Sequence, residues 1–265
     1  MSNFVRINKS IIFKNFITGL NQYAENLNLN FLEEGIKINT LTLNKSGFLD
    51  ILLTKDMFED YDHEIDTTYG INLSILNKCL KSVKKEDKLI IKFEIENTLV
   101  NIQNNRRTLK FIIPTLDIDE DEMEIPKINY NNIIYLSNKR FKDICSEFKN
   151  HDIDSISLNI EKEKLIFCSK SSVEIKMEMN EYKEEIEKCG DIKIIKKDIN
   201  NYYRIKKLED NSKVTIPFND FNKFSKIEKF SKKIKLSFSN DFPINLIYKM
   251  IDGSYISLYL APRIE

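Results

Sequence analysis

The chain contains little glycine and proline, 6 and 5 among its 265 residues. This scarcity disfavours collagen-like, disordered and loop-rich architectures, so regular secondary structure should dominate. The sequence also lacks the glycine-rich patterns that bind phosphates, G-x-G-x-x-G and G-x-x-x-x-G-K-[ST], and the G-x-S-x-G turn that carries a nucleophilic serine. These absences exclude the commonest nucleotide-binding loops and hydrolase sites.

Histidine and cysteine, which supply many metal ligands and nucleophiles, are also scarce. The two histidines, His63 and His151, stand beside acidic residues, where a solvated turn explains them better than a metal site. The 4 cysteines form no C-x-x-C pair. Carboxylates are plentiful, but their spacing selects no general acid and base. We therefore predict a protein that is not an enzyme and uses no cofactor or metal; an enzyme would need a carboxylate and metal site that these patterns do not reveal.

Long apolar runs are missing as well. No segment approaches the roughly 20 apolar residues of a membrane helix, and residues 1–15 lack the apolar core of a signal peptide. Widely spaced cysteines are typical of a reducing compartment. These features predict a soluble protein that works inside the cell.

Charge is balanced in total but not in distribution. Lys and Arg number 41, as do Asp and Glu, which argues against a surface that is basic throughout. Residues 117–126 carry six acidic side chains and no basic one, a composition typical of a solvated linker between domains. Basic residues concentrate instead on the predicted helices, for example along 218–235.

Hydrophobic periodicity predicts four amphipathic helices near 9–25, 73–83, 138–150 and 218–229, each with apolar residues on one face and lysines or polar residues on the other. Short alternating or β-branched segments between them predict strands, which outnumber the helices. The predicted strands include 36–41, 48–53, 89–95, 109–113, 155–160, 173–179 and 234–239.

The second half of the sequence repeats the first. Residues 71–81 align with 216–226 at an offset of 145, and the same offset aligns 89–93 with 234–238. Chance similarity between two amphipathic helices is common, but a register kept from a strand through a helix into the next strand indicates duplication. We interpret the chain as two copies of one βαβ-rich module.

Several segments, in order, resemble the proliferating cell nuclear antigen family of DNA sliding clamps. The closing Tyr-Leu-Ala-Pro-Arg-Ile-Glu of 259–265 is similar to the family's C-terminal signature, and Asp-Phe-Pro precedes it at 241–243. Phe-Glu-Asp-Tyr at 58–61 and Gly-Ile-Asn-Leu at 70–73 resemble the first domain. Residues 116–126 resemble the connector between the two domains of the family.

The resemblance implies an α+β fold built from a duplicated clamp module. Three subunits would close head to tail into a ring, with antiparallel sheets outside and the helices on one face lining the hole. The implied domains are an N-terminal clamp domain at 1–116, an acidic interdomain connector at 117–130 and a C-terminal clamp domain at 131–265.

The function implied is that of a DNA sliding clamp, a processivity factor of DNA replication and repair. It would encircle duplex DNA without reading its sequence, as a homotrimer in the nucleus or another intracellular site of replication. Its other partners would be clamp-binding peptides of a polymerase, clamp loader, ligase or nuclease. The alternative is a clamp-fold scaffold, a divergent paralogue in transcription or checkpoint control that binds proteins but does not encircle DNA.

Three groups of residues follow as candidate sites. Lysines on the polar helix faces suit phosphate contact without base readout, and the DNA-facing set is Lys14, Lys78, Lys81, Lys142, Lys149, Lys223 and Lys226. The resemblance places the partner-peptide pocket at Leu41, Lys45, Phe48, Met123, Ile125, Pro126, Phe242, Pro243, Tyr259, Leu260, Ala261 and Pro262. Two predicted edge strands would form the subunit interface, through Leu109, Phe111 and Ile113 on one and Val173, Ile175 and Met177 on the other.

Overall fold

The computed structural model describes residues 2–7, 9–64, 67–119, 128–162, 164–170, 174–179, 185–189, 192–196, 203–207 and 211–263. The chain divides into two compact units. The first comprises Met1–Pro126 and Lys249–Leu258, and the second comprises Lys127–Tyr248 and Tyr259–Glu265. A segment late in the sequence therefore returns to the first unit.

The first unit contains the helices α1 (Ser10–Leu20) and α2 (Leu73–Leu80). A single 3-10 turn spans Lys55–Met57. The strands up to the connector are β1 (Asn3–Ile7), β2 (Asn26–Leu32), β3 (Gly35–Leu41), β4 (Gly47–Thr54), β5 (Asp60–Asp62), β6 (Thr67–Asn72), β7 (Lys88–Phe93), β8 (Asn97–Asn104) and β9 (Arg107–Pro114).

The second unit contains α3 (Asn138–Lys149) and α4 (Phe218–Phe224), and a 3-10 segment, Ser225–Phe230, continues α4. Its strands are β10 (Asn132–Ser137), β11 (Ser155–Glu161), β12 (Lys164–Lys170), β13 (Glu174–Met179), β14 (Glu185–Cys189), β15 (Ile192–Lys196), β16 (Tyr203–Lys207), β17 (Lys213–Pro217), β18 (Lys233–Phe238) and β19 (Ile244–Lys249). The last strand, β20 (Tyr255–Leu260), lies beside β4 of the first unit.

One motif occurs four times along the chain. Each helix follows one strand and precedes three, in the orders β1-α1-β2-β3-β4, β6-α2-β7-β8-β9, β10-α3-β11-β12-β13 and β17-α4-β18-β19-β20. The predicted duplication is confirmed, because α2 and α4 begin 145 residues apart at Leu73 and Phe218. The same interval separates β7 from β18. Each copy of the duplicated module thus contains the motif twice, a subdivision that the sequence did not reveal.

The leading strand of each motif pairs with the sheet of the other motif in the same unit. In the first unit β1 pairs antiparallel with β7, and β6 pairs antiparallel with β2. The sheets there run β5-β1-β7-β8-β9 and β6-β2-β3-β4-β20. In the second unit they run β13-β12-β11-β17 and β16-β10-β18-β19, with β14 and β15 forming a separate hairpin. This exchange binds the two motifs of a unit into one core.

The helices bury their apolar faces against these sheets. Contacts join α1 to α2 in the first unit and α3 to α4 in the second. The core of the second unit is rich in phenylalanine, and the rings of Phe141 and Phe221 meet edge to face with centroids 5.0 Å apart. The buried helix residues are Phe13, Phe16, Ile17, Leu20, Leu73, Leu76, Leu80, Phe141, Ile144, Phe148, Phe218, Phe221 and Phe224.

The structure shortens three predicted helices, and the second, predicted to reach residue 83, ends at Leu80. The first ends at Leu20, because the amides of Tyr23 and Ala24 both bond to the carbonyl of Leu20 in a turn that leads into β2. The fourth changes to 3-10 geometry at Ser225, whose hydroxyl donates to the Asn222 carbonyl at 2.7 Å. Such a bond to the preceding turn favours the tighter helix. Within the part of the chain that the structure describes, no helix has the length and apolar character needed to cross a membrane.

Candidate nucleic-acid and protein-binding surfaces

The polar faces of α1 and α2 carry cations without anions. Neither helix contains an acidic residue, as their sequences SIIFKNFITGL and LSILNKCL show. Lys78 in the last turn of α2 and Lys81 just after it are exposed. The asparagine Asn72 caps α2 by accepting a hydrogen bond from the Ile75 amide at 2.9 Å. This cap sets where the helix begins, and thus which lysines face solvent.

The ammonium group of Lys14, one of the predicted DNA-facing lysines, binds backbone carbonyls of the protein itself. Its Nζ donates to the backbone carbonyls of Lys81 at 2.8 Å and Val83 at 3.2 Å, beyond the C-terminal end of α2. A cation there satisfies terminal carbonyl groups and complements the helix dipole. The half-buried Lys14 therefore ties α1 to α2, a role that one-dimensional periodicity does not reveal.

The lysines of α3 lie on its solvent side. Lys142 and Lys149 are exposed, while Ile144, Cys145 and Phe148 are buried. The helix begins at a serine cap, with Ser137 Oγ accepting from the Arg140 amide at 3.2 Å. The structure therefore separates the polar and apolar faces of α3 as the sequence pattern predicts, and the polar face exposes Asp143 and Glu147 as well as the lysines.

The two predicted lysines at α4 have different surroundings. Lys223 is half-buried and forms an ion pair with Asp220, Nζ to Oδ1 at 3.1 Å, and the Asp220 side chain is 1% exposed. Lys226 in the following 3-10 segment is exposed. The charge of Lys223 is thus partly offset within the helix, and Lys226 presents the more accessible cation.

The candidate set missed two neighbouring lysines. Lys84 and Lys85 follow α2 directly and are both exposed. They extend the basic surface of Lys78 and Lys81 along the loop toward β7. The adjacent pair in the sequence indicates them, but helical periodicity does not, because both lysines lie beyond the end of α2.

Both strands assigned to the subunit interface lie at the edge of a sheet among the described residues. β9 ends the order β5-β1-β7-β8-β9. Its residues alternate, with Leu109 and Phe111 half-buried and Ile113 buried on one face, while Ile112 on the other face is 70% exposed. Such an edge leaves backbone groups without a neighbouring strand and can accept one from another subunit.

The second edge strand is β13, at the end of the order β13-β12-β11-β17. Ile175 and Met177 are half-buried, and Glu174, Lys176 and Glu178 on the opposite face are exposed. Lys176 already lies 3.6 Å from Glu178 and 3.7 Å from Glu161. Val173 lies outside the described residues.

The predicted pocket residues of the first unit surround the β3–β4 hairpin. Leu41 pairs across the strands with Phe48, which is 8% exposed and therefore mainly a core residue. The loop between them is fixed by Asn44, whose Oδ1 accepts from the Thr42 hydroxyl at 2.8 Å, and by a left-handed Lys45 at φ 55°. This conformation leaves Lys45 and the apolar Leu43 exposed.

The pocket residues of the second unit cluster around Tyr130. Its hydroxyl donates to the Pro243 carbonyl at 2.9 Å, and Phe242 beside that proline is 50% exposed. Burial, assisted by Tyr259, raises the pKa of Tyr130, so the phenol stays protonated to a higher pH than a free tyrosine does. Tyr259 and Pro262 are half-buried and Ala261 is exposed, whereas Leu260 is fully buried in the core.

Tyr130 was missed by sequence reasoning, which placed it within the connector. The connector residues assigned to the pocket, Met123, Ile125 and Pro126, lie outside the described residues. Among the residues that are described, no cluster of three or more His, Cys, Asp and Glu side chains could hold a metal ion. His63 instead stacks on Tyr61 with ring centroids 4.7 Å apart.

Two family models together match nearly all of the chain. Residues 4–124 match "Proliferating cell nuclear antigen, N-terminal domain", and residues 124–263 match "Proliferating cell nuclear antigen, C-terminal domain". The two matches meet within the acidic segment that the sequence pattern indicates as a linker.

Relatives and solved structures agree with these matches. The chain is 27% identical to DNA polymerase sliding clamp 2 of Sulfolobus acidocaldarius, over 98% of this chain and 99% of that protein. It is 22% identical to proliferating cell nuclear antigen of Chaetomium thermophilum, over 98% and 97%. Its fold resembles proliferating cellular nuclear antigen of Entamoeba histolytica, with a TM-score of 0.84 at 22% identity over 99% of both chains. A chain of the PCNA2–PCNA3 complex of Sulfolobus tokodaii gives the same score and identity, over 99% of this chain and 100% of that one. The chain therefore belongs to the proliferating cell nuclear antigen family of DNA sliding clamps.

Proposed function

We propose that this protein closes into a ring of three identical subunits around duplex DNA and holds a polymerase and other replication or repair proteins on it. The observation that carries this proposal is the pair of exposed lysines at the end of α2, Lys78 and Lys81, beside helices α1 and α2 that contain no acidic residue. Together with Lys142, Lys149 and Lys226, these side chains suit contact with DNA phosphates.

Lysines without base-reading partners support a contact that slides. An ammonium group is a point charge with no fixed hydrogen-bonding fork, so it attracts a phosphate without selecting a base sequence. Binding should fall steeply with salt, because each contact releases condensed counterions. The aromatic residues of the same helices are buried in the core, so they do not serve as stacking platforms for single strands.

Ring closure is supported by the two edge strands. β9 and β13 are different edge strands of the same chain, so pairing β9 of one subunit with β13 of the next is a heterologous contact. Such contacts form a closed ring when the rotation from one subunit to the next divides a full turn evenly. The half-buried rows Leu109–Phe111 and Ile175–Met177 would then complete their burial. A ring of identical subunits is the simplest ring that one chain can build.

Partner docking is supported by the exposed aromatic and apolar side chains on each unit. The exposed side chains of Leu43, between Leu41 and Lys45 in the chain, and of Phe242, beside Pro243, offer apolar anchor positions. Family members receive a short peptide with a glutamine and aromatic anchors there. The acidic connector would attract basic residues flanking such a peptide and speed their encounter.

The decisive experiment compares retention on circular and linear duplex DNA. A loaded clamp should stay on a closed circle and slide off when the circle is cut. In a variant with Lys78, Lys81, Lys142, Lys149 and Lys226 changed to Ala, we expect normal folding and ring mass but loss of processive synthesis. Each removed phosphate contact should lower the slope of log K against log salt by up to about one unit.

Two outcomes would contradict the proposal. Full processivity in the lysine variant would show that these side chains do not face the DNA. Equal retention of the wild type on circular and linear DNA, with peptide binding intact, would instead favour the non-encircling scaffold.

A further inference from the structure

One face of β2 carries a row of asparagines that has no part in the surfaces described above. The sequence of β2, NLNLNFL, places Asn26, Asn28 and Asn30 on one face and apolar residues on the other. Opposite them on β6 stand Asn72, Gly70 and Thr68. The row is therefore a cross-strand ladder of polar side chains in which the middle position on β6 has no side chain.

The outer two rungs are closed by hydrogen bonds between side chains. Asn72 Nδ2 donates to Asn26 Oδ1 at 2.8 Å, and the Thr68 hydroxyl donates to Asn30 Oδ1 at 2.7 Å. Asn28 faces Gly70 and has no such partner across the strand. Its Nδ2 donates instead to the backbone carbonyl of Ile118, 3.0 Å away, at the start of the acidic connector.

Gly70 makes room for this contact. A Cβ at position 70 would lie 2.3 Å from the carbonyl oxygen of Leu116 and 2.9 Å from the side chain of Ile118. In its absence the connector lies against β6, and the Leu116 amide donates to the Gly70 carbonyl at 2.8 Å. Asn28 is only 5% exposed, so its amide needs this partner.

We propose that Asn28 and Gly70 are positioning residues that clasp the first residues of the connector and thereby set the affinity of the clamp for partner peptides. This inference rests on the proposed function, in which the connector flanks the peptide pocket. If the start of the connector were not held against β6, each peptide that binds would also have to order it. That ordering would cost conformational free energy and weaken binding. The clasp would thus act on peptide binding without touching the peptide.

The test compares Asn28→Ala with Asn26→Ala. Both variants delete an asparagine from the same face of β2, but Asn26 bonds only across the ladder, to Asn72, and does not contact the connector among the described residues. We expect Asn28→Ala to speed amide hydrogen exchange of residues 116–119 and to weaken binding of a synthetic clamp-binding peptide about three- to tenfold in calorimetry. Asn26→Ala should leave the exchange rate of residues 116–119 and the peptide affinity within about twofold of the wild type.

Sedimentation of both variants checks that ring assembly, which the proposed function assigns in part to β9, the strand that precedes the connector, is unchanged. Unaltered exchange of residues 116–119 in Asn28→Ala would overturn the clasp, whatever the function of the protein. Faster exchange with unaltered peptide affinity would overturn its role in partner binding. A wild-type chain that binds no clamp peptide would contradict the proposed docking function itself, and the affinity role of the clasp would fall with it.

Discussion

The Leu116 amide donates to the Gly70 carbonyl at 2.8 Å. A second bond of the same kind has its acceptor 145 residues further along the chain. There the Arg263 amide donates to the Thr215 carbonyl at 2.7 Å. Gly70 lies on β6 and Thr215 on β17, the leading strands of equivalent motifs. In each unit, the segment that leaves the last strand of the repeat returns to the edge of a leading strand. Each returning segment thereby occupies one backbone carbonyl of an edge strand that another chain could otherwise bind.

The difference between Gly70 and Thr215 predicts different tolerance to alanine. We expect Gly70→Ala to lower the free energy of unfolding by about 1–3 kcal/mol, because its new Cβ must displace the Leu116 backbone. Thr215→Ala deletes the hydroxyl contact with Ser157, 2.8 Å long, and should cost about 1 kcal/mol or less. Urea unfolding of the two variants measures both costs. A neutral Gly70→Ala would mean that the connector adapts without strain.

Lys14 and Lys78 should separate structural from DNA-binding lysines. Lys14→Ala removes the ammonium from the carbonyls of Lys81 and Val83 and should destabilise the protein by about 1–2 kcal/mol. Lys78→Ala should change stability by no more than about 0.5 kcal/mol. For Lys78→Ala, the slope of log K against log salt in DNA binding should fall by up to about one unit. Equal thermal stability of the two variants would contradict the bridging role of Lys14.

Asp87 predicts a specific acid sensitivity. Its side chain is 0% exposed and accepts from Arg107 Nη2 at 3.0 Å and the Lys84 amide at 2.9 Å, with Asn104 as a third donor. Burial by itself would raise the pKa of Asp87, but these donors hold it below its ordinary value. The folded-state pKa is therefore lower than the unfolded value of about 3.9. The stabilisation that the Asp87 carboxylate contributes is complete above the unfolded-state pKa and is lost as the pH falls through the folded-state pKa.

The measurement is the free energy of unfolding between about pH 7 and pH 3. Asp87→Asn should cost about 2 kcal/mol at neutral pH, and the curve should fall less steeply on acidification than that of the wild type. The control is Asp60→Asn, which removes a surface ion pair with Arg6 and should cost less than about 1 kcal/mol. Parallel pH curves for the wild type and Asp87→Asn would contradict this assignment.

Ile112 should report on ring closure. It is 70% exposed on the edge strand β9, so Ile112→Asp should fold normally. A charge in a strand pair between subunits is poorly solvated, and we expect ring dissociation at a protein concentration at least about tenfold higher than in the wild type. Ile95→Asp is the matched control, because Ile95 is 75% exposed between β7 and β8, away from the edge. Analytical ultracentrifugation showing the same assembly for both variants would argue against this interface.

The sequence by itself determined the four helices, seven of the twenty strands found among the described residues, the duplication and the family. These features follow from local periodicity and from residues at fixed spacing, and each apolar helix face is buried as predicted. Pro114 at the end of β9 and the alternation along β13 also indicated edge strands, because proline is tolerated at strand edges and a half-buried face leaves a regular pattern in the sequence.

Only the tertiary structure decided which strands pair and what individual polar side chains do. The exchange of β1 and β6 between sheets depends on contacts far apart in the chain, and local propensity does not encode them. The ammonium of Lys14 reaches carbonyls 67 and 69 residues away, and the amide of Asn28 reaches one 90 residues away. A lysine on a polar helix face and an asparagine in a strand look alike in sequence whether they face water or a backbone carbonyl. Their roles are settled by the buried partner that the fold brings to them.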